Sequence, residues 1–300
     1  MSDKEQFETH GHGLLVRAPA KINLSLLIAS KRPDGFHEIE TVMAKVNFYD
    51  EIIIEPALKA DIELVCQGPE WAPPGEENLV YQAAKLLLNC CGEWTDIKIT
   101  LTKNVPAGRG LGSASSDAAA TLLGLNQYME FGLPNRELAK VAKLLGSDVA
   151  FFLDGPLAFC TGKGEKIKKL TKNFNFPALL ILPDVSVSTK KVYTNYSANR
   201  PLFEKLSSRI NSYIDKNRID LVSEMRTNML ETSCFHLYRE LAELKARIES
   251  LGIGPLCLSG SGSALFFIMD SRDKKRASKI KRQLTEKVGC KSIIVSNNRW

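Results

Sequence analysis

The feature that most limits how this chain can fold is a Gly- and Ser-rich stretch that runs straight into an apolar helix. Pro106-Ala-Gly-Arg-Gly-Leu-Gly-Ser-Ala-Ser-Ser116 places Gly108, Gly110 and Gly112 ahead of Ser113, Ser115 and Ser116. Ala118 to Tyr128 follows, rich in Ala and Leu, and reads as a packed helix. Glycines remove the side chains that would keep a ligand from the backbone, so successive N–H groups can converge on an anion. A helix starting near Gly112 adds unpaired amides and the positive end of its dipole. The hydroxyls of Ser113, Ser115 and Ser116 can donate to phosphate oxygens or reach a metal. The plain alternative is a flexible surface turn, and the Ala-rich helix behind the loop tips the reading toward a polyphosphate cradle. Two common phosphate motifs are excluded by spacing. No Lys follows the glycines as a Walker A loop requires, and G-x-G-x-G after a proline-bearing stretch is not the dinucleotide fingerprint.

Around this loop the pattern is mixed. Leu14–Ala18 and Ile22–Ile28 read as strands split by Pro19, and Lys31-Arg-Pro-Asp-Gly35 as a turn. Strands are expected over Ile39–Phe48, Glu51–Glu55, Ile62–Cys66 and Ile97–Thr102, and helices over Asn78–Asn89 and Asn135–Leu145. Gly146-Ser-Asp148 breaks the latter before an apolar segment, Val149–Leu153. Short strands follow near Leu157–Cys160, Lys166–Leu170 and Ala178–Leu182. Helices dominate from Thr189 to Leu251. A second small-residue loop, Ser259-Gly-Ser-Gly-Ser263, lies between apolar strands, and a basic helix (Arg272–Glu286) and a strand (Lys291–Val295) close the pattern. Strands in succession, then strands mixed with helices, predict an α+β chain with a seam near residue 160.

Composition closes off several classes. With 300 residues, 44% hydrophobic and 25% charged, the chain has the make-up of one or two globular domains. No apolar run approaches the ~18 residues of a membrane span, and the polar stretch Met1–Gly13 carries no export signal. Seven cysteines with no C-x-x-C pair predict reduced thiols and a cytoplasmic protein, with Cys90 and Cys91 buried at a helix end. His10-Gly-His12 is expected to be disordered and not a metal site. The net charge of +6 gathers in Lys163–Lys172 and Lys274–Arg282, which read as solvated faces, so no nucleic-acid partner is expected.

Three stretches together resemble the GHMP kinases, the superfamily named for galactose, homoserine, mevalonate and phosphomevalonate kinases. They are Pro19-Ala-Lys-Ile-Asn-Leu24, the loop Pro106–Ser116, and Leu258-Ser-Gly-Ser-Gly-Ser263. Lys31-Arg-Pro-Asp-Gly-Phe-His37, Glu40-Thr-Val-Met43 and Leu145-Gly-Ser-Asp-Val-Ala-Phe151 are similar to the branch that phosphorylates a cytidine-diphosphate-linked methylerythritol. The resemblance implies an S5-domain-2-like amino-terminal part (1–160, binding ATP), a ferredoxin-like carboxy-terminal part (161–300) and a cleft between them.

The resemblance also implies roles. Asp148 would be the catalytic base and Lys21 the catalytic lysine. The ATP cradle would be Pro106, Ala107, Gly108, Arg109, Gly110, Leu111, Gly112, Ser113, Ala114, Ser115 and Ser116, with Asn78 near the adenine. Asn23, Phe36, His37, Thr189 and Tyr193 would meet the substrate, the rings stacking on its cytosine. Mg²⁺ is expected to arrive with ATP. From the residues alone, Asp148 and Asn78 read as helix N-caps, Lys21 as a strand-edge lysine and Phe36 as core. Phe36 stands where relatives often have Tyr, which keeps the ring without a hydroxyl, and Arg109 stands where they often have a small residue. Two rivals remain open. One is a GHMP kinase for a smaller alcohol such as homoserine or mevalonate, which would leave the rings without a base to stack. The other is a non-catalytic nucleotide- or RNA-binding module.

Overall fold

A computed structural model of the chain describes residues 5–58, 62–93, 95–170, 174–269 and 274–300. The first sheet holds β1 (Phe7–His10), β2 (Gly13–Lys31), β3 (His37–Pro56), β4 (Ile62–Gln67), β5 (Ile97–Thr102), β6 (Leu157–Gly162) and β7 (Lys166–Lys169). Its order is β1-β2-β3-β5-β4, with β6 also on β3 and β7 on β6. Among the described strands, β4 and β5 alone pair in parallel. Strand β3 is long enough to change neighbours along one edge: Ile39–Ala44 pair with β6, and Glu51–Pro56 with β5.

Three expectations are corrected here. Pro19 does not split a strand. It sits opposite Tyr49 at a register shift within β2, a bulge position where a missing N–H is tolerated. The two segments expected on either side of Phe48 likewise form the single strand β3. The His10-Gly-His12 stretch is ordered: Gly11, at φ +57°, turns β1 back onto β2 with His10 opposite Gly13. Sequence pattern hides this hairpin because β1 is short and mostly exposed.

Helices α1 (Leu79–Cys91), α2 (Ser113–Tyr128), α3 (Asn135–Leu145) and the single turn α4 (Val149–Phe152) cover one part of this sheet. Their apolar faces (Ala83 and Leu87; Ala118, Ala119, Leu122 and Leu125; Leu138; Phe151) close a core over Leu14, Val16, Ala18, Ile52, Ile54 and Ile99. Burial of this kind is the main favourable contribution to the fold. Cys90, expected inside, is exposed on α1, and Cys91 is half-buried.

The second sheet is antiparallel, order β11-β8-β10-β9, from β8 (Pro177–Leu182), β9 (Cys257–Leu258), β10 (Leu265–Ile268) and β11 (Lys291–Ser296). Alternation along β8 splits its residues between two cores. Ala178 and Leu180 share one with Ile22, Leu24, Val42 and Val46 of the first sheet. Leu179 and Ile181 share another with α5 (Thr189–Thr194), α8 (Glu231–Leu237), α9 (Arg239–Ser250) and α10 (Lys274–Gln283). Helices α6 (Arg200–Asp215) and α7 (Ile219–Met225) pack on the former through Ile210, Ile214 and Val222. The expected start of the basic helix at Arg272, and the end of the basic run at Lys172, lie outside the described residues.

Past Pro19, then, β2 leaves α1 and α2 and becomes the floor shared with the second sheet. This hand-over positions the site, because Lys21 and Asn23 lie at the junction.

Candidate active site

A cleft of about 1020 Å³ opens between β2 and β3 of the first sheet, the glycine loop and α5, lined among others by Lys21, Asn23, Phe36, His37, Gly108, Gly110, Gly112, Asp148, Thr189 and Tyr193. One end is polar. Lys21 and Asn23 are two apart in a strand and therefore share a face; Lys21 Nζ donates to Asn23 Oδ1 at 2.5 Å. Asn23 Nδ2 donates to Thr41 Oγ1 at 2.8 Å, which donates in turn to the Ser25 carbonyl at 2.6 Å. Lys21 is only 4% exposed. Burial pushes its pKa below the ordinary 10.5, and the nearby Asp148 charge opposes that shift. Cys160 lies under the same pair. Burial, with Asp148 adding to it, raises its thiol to about 12, so it stays a neutral thiol.

Asp148 sits at the start of α4, but its side chain caps no helix amide. The N-cap alternative is therefore not what the carboxylate does, and it is left facing the cleft. Gly164, in the turn between β6 and β7, faces it: a Cβ there would lie 3.5 Å from Asp148 Oδ1.

The glycine loop forms the wall above Lys21. Helix α2 starts at Ser113, where the end of the glycine loop predicts it, with Gly112 before it at φ +68°. Ser116 N–H gives the first helical bond, to the Gly112 carbonyl, so the amides before it have no intrahelical acceptor. Contact with neighbours enforces glycine at two positions. A Cβ on Gly110 would lie 2.0 Å from the Ser259 carbonyl oxygen, and one on Gly112 would lie 2.9 Å from the Phe152 ring and 3.0 Å from Lys21. The loop is tied to its surroundings by backbone: Lys21 N–H to the Leu111 carbonyl at 2.9 Å and Ala264 N–H to the Arg109 carbonyl at 3.0 Å. Ser259 Oγ donates to the Gly110 carbonyl at 2.9 Å. The second small-residue loop thus braces the first, and Asn228 braces the second by donating to the carbonyls of Leu258 and Gly260.

The loop's side chains divide. Gly108, Gly110, Gly112, Ser113, Ala114 and Ser115 line the cleft, while Pro106, Ala107, Arg109, Leu111 and Ser116 do not. Arg109 turns away: its guanidinium donates to the carbonyls of Pro183 and Val185 and pairs with Asp184 at 3.2 Å. Ser116 Oγ is buried without a hydrogen-bond partner. Ser113 Oγ is engaged below the loop with Lys103 and with Asp50. Asn78 is away from the cleft lining. It caps α1 by accepting from Val80 N–H at 2.9 Å and donates to the Pro73 carbonyl at 2.7 Å.

Beneath the loop lies a cluster that inspection of the sequence overlooks. Lys103 Nζ pairs with Asp50 Oδ2 at 2.5 Å and Asp117 Oδ2 at 2.7 Å, all but sealed from solvent. Asp50 Oδ1 accepts from Asn104 and Val105 N–H at 2.6 and 2.8 Å. The cluster therefore pins the entry of the loop to the first turn of α2. Its two carboxylates raise the Lys103 pKa against burial, while burial and the Asp50 charge hold Asp117 well above the usual carboxylate range.

The other end of the cleft is aromatic. His37 lies 5.7 Å from Tyr193 and 5.8 Å from Tyr196, centroid to centroid. Tyr196, which donates to the Ile28 carbonyl, was not foreseen. Burial, helped by Lys31, lowers the His37 pKa, and burial with Asp148 raises that of Tyr193, so both rings are neutral near pH 7. Phe36, expected as core or stacking ring, is 54% exposed at the cleft rim, with Lys163 Nζ 4.4 Å from its ring centre. Thr189, one turn before Tyr193, shares a hydrogen bond of 2.8 Å with Ser261 of the second loop.

The family models and curated relatives that match the chain are those of kinases. Residues 78–156 match the GHMP kinases N terminal domain, and residues 210–289 the GHMP kinases C terminal domain. A 4-diphosphocytidyl-2-C-methyl-D-erythritol kinase of Bacillus cereus (strain B4264) is 38% identical over 264 residues, covering 86% of this chain and 90% of the relative. The enzyme of the same name from Chloroherpeton thalassium is 38% identical over 267 residues, 87% and 91% of the two chains. A crystal structure of 4-(cytidine 5'-diphospho)-2C-methyl-D-erythritol kinase superposes with a TM-score of 0.75 at 30% identity, covering 95% of this chain and all of the other. Homoserine kinase from Cytophaga hutchinsonii, at 20% identity and a TM-score of 0.73 over 99% and 98% of the chains, shares the fold.

Proposed function

The chain belongs to the GHMP kinases, in their 4-diphosphocytidyl-2-C-methyl-D-erythritol kinase branch, and on that premise we propose how its cleft divides the work. The reaction is ATP-dependent phosphorylation of the 2-hydroxyl of 4-diphosphocytidyl-2-C-methyl-D-erythritol, a step toward isoprenoid precursors by the non-mevalonate route. Asp148 accepts the proton of that hydroxyl as its oxygen bonds to the γ-phosphorus and the bond to the β,γ-bridging oxygen breaks. Lys21, anchored by Asn23, supplies positive charge where negative charge develops. Transfer is direct, with no covalent enzyme intermediate. The exposed amides of the loop and of the α2 start cradle the polyphosphate. A Cβ at Gly110 or Gly112 would obstruct that wall. Pro106, Ala107 and Leu111 act through backbone placement, Arg109 and Ser116 as internal supports, and Asn78 through the end of α1 it caps.

At the far end, Tyr193, His37 and Phe36 receive the cytosine, and Thr189 gives a polar contact. The observation that carries this reading is that one cleft joins the Lys21–Asp148 end to a cluster of neutral rings. A small alcohol would leave those rings without a partner.

Among the described residues no group of three or more His, Cys, Asp or Glu could hold a metal ion. The oxygen that suits Mg²⁺ is the Ser115 hydroxyl, which lines the cleft beside the loop. Bound with ATP, the ion would neutralise phosphate charge, most of its remaining positions being filled by water and phosphate. We place the division of the chain near residue 160, inside β6; the change of sheet itself comes between Lys169 and Pro177. Among the described residues no helix is long and apolar enough to cross a membrane. All seven cysteines are free thiols, which supports a reducing, cytoplasmic setting. No nucleic-acid partner is invoked.

The test is ADP release with Mg²⁺ and ATP, comparing the cytidine-linked substrate with homoserine, mevalonate and no acceptor. Turnover with the cytidine substrate alone is expected. Turnover with another acceptor instead would remove the roles given to Phe36, His37 and Tyr193.

A further inference from the structure

Lys45 takes no part in the chemistry above, yet it is one of the largest fully buried side chains, 1% exposed. An isolated buried ammonium is costly, and an apolar side chain of the same length would fill the space without that cost. Its place in the fold supplies a reason. In the pairing of β2 with β3, Lys45 is directly opposite Lys21. Its backbone is held on both sides: its N–H donates to the Pro156 carbonyl, and its carbonyl accepts from Asn298 N–H, each at 2.8 Å. Its Nζ donates to the Phe152 carbonyl at 3.0 Å. Phe152 ends α4, the single turn that Asp148 begins. The same residue's ring fills the space where a Cβ on Gly112 would sit. One amine thus fixes a residue that touches the glycine loop and terminates the turn carrying the base.

A four-residue helix has few internal bonds and depends on such outside partners for its place. Two donors hold its carboxy-terminal end: Lys45 on the Phe152 carbonyl, and Asn135 Nδ2 on the Leu153 carbonyl at 2.9 Å.

We propose that Lys45 is a positioning residue for phosphoryl transfer, fixing α4 through the Phe152 carbonyl and so setting Asp148 against Lys21 and the glycine loop. The proposal rests on Asp148 and Lys21 being the catalytic pair. The charged groups around it are Asp154 just after α4, itself paired with Lys169 of β7, and Lys21 directly opposite on β2. Burial lowers the Lys45 pKa to about 7 and Asp154 opposes that shift. Above that pH the amine is neutral and a weaker donor.

The experiment compares wild type, Lys45→Met and Lys45→Gln in steady-state turnover of ATP with the cytidine substrate, across pH, beside thermal melting. Met removes the donor; Gln keeps a neutral one. The expected result for Lys45→Met is a fall in kcat of about tenfold or more. KM for both substrates should change by less than about twofold and Tm should be unchanged or higher. Lys45→Gln should recover part of the loss. The wild-type kcat should step down as pH rises through about 7, and both variants should lack that step. A Lys45→Met kcat within about twofold of wild type would overturn the proposal. So would a loss that follows a lowered Tm with Lys45→Gln no better. Wild type without turnover would instead overturn the kinase reading on which the proposal stands.

Discussion

Lys103, just past the end of β5, reaches Asp117 on the second turn of α2 at 2.7 Å, beneath the loop that both residues flank. Asp50 shares the same ammonium, so the sealed cluster carries two carboxylates against one cation. One Asp117 oxygen has no hydrogen-bond partner. The imbalance has a sign. Asp117 has its pKa raised in the folded chain from an ordinary 3.8, chiefly by burial and then by Asp50. Folding therefore binds a proton over the window above pH 3.8, and stability is lost as pH rises through the folded pKa.

Asp117→Asn is accordingly expected to remove that loss. Urea unfolding should show the variant gaining on wild type as pH rises, by on the order of 1 kcal/mol at the alkaline end. A variant less stable than wild type by the same margin at every pH would contradict this.

The glycine positions should not be equivalent. Gly108 and Gly110 both have positive φ, but a Cβ on Gly108 meets open space whereas one on Gly110 strikes the Ser259 carbonyl. Gly108→Ala should cost about 1–2 kcal/mol of backbone strain and leave most activity. Gly110→Ala should cost more and raise KM for ATP, because it forces apart the two loops that form the wall. Melting curves with KM for each variant decide the ranking.

Much of this site was legible in the chain and some was not. Lys21 and Asn23 could be read together because a strand repeats every two residues, and Thr189 with Tyr193 because a helix brings residues four apart to one face. The start of α2 near Gly112 is legible because the glycines end there, whereas nothing local shows that Lys103 and Asp50 pair with Asp117 beneath it. Lys103 lies 53 residues from Asp50 and 14 from Asp117 in the chain, and the pairing of β3 with β5 under α2 brings them together. A lysine ending an apolar strand and an aspartate inside an Ala-rich helix were the available signals. Arg109 was read as a possible phosphate contact because nothing local revealed the carbonyls of Pro183 and Val185 that receive it.

The ring cluster should affect one substrate only. Tyr193→Ala is expected to raise KM for the cytidine substrate about tenfold, equivalent to roughly 1–1.5 kcal/mol of stacking, and to leave KM for ATP unchanged. Tyr193→Phe should resemble wild type. Equal effects on both substrates would place Tyr193 in general folding of the cleft.

Lys21 gives a pH signature. Since burial lowers its pKa from 10.5, the alkaline limb of kcat should fall below the range of an ordinary lysine. Lys21→Arg, which stays charged, should remove that limb whatever activity it retains. A limb unchanged in the variant would belong to another group.

The most direct test of the account is Asp148→Asn, assayed for ATP-dependent phosphorylation of the cytidine substrate alongside ATP binding and melting. The carboxylate makes no capping bond in the fold, so its loss should leave Tm and ATP affinity near wild type. The account predicts a kcat lower by about 10²–10⁴-fold. A variant that turns over at the wild-type rate would show that the proton goes elsewhere and would remove Asp148 from the mechanism.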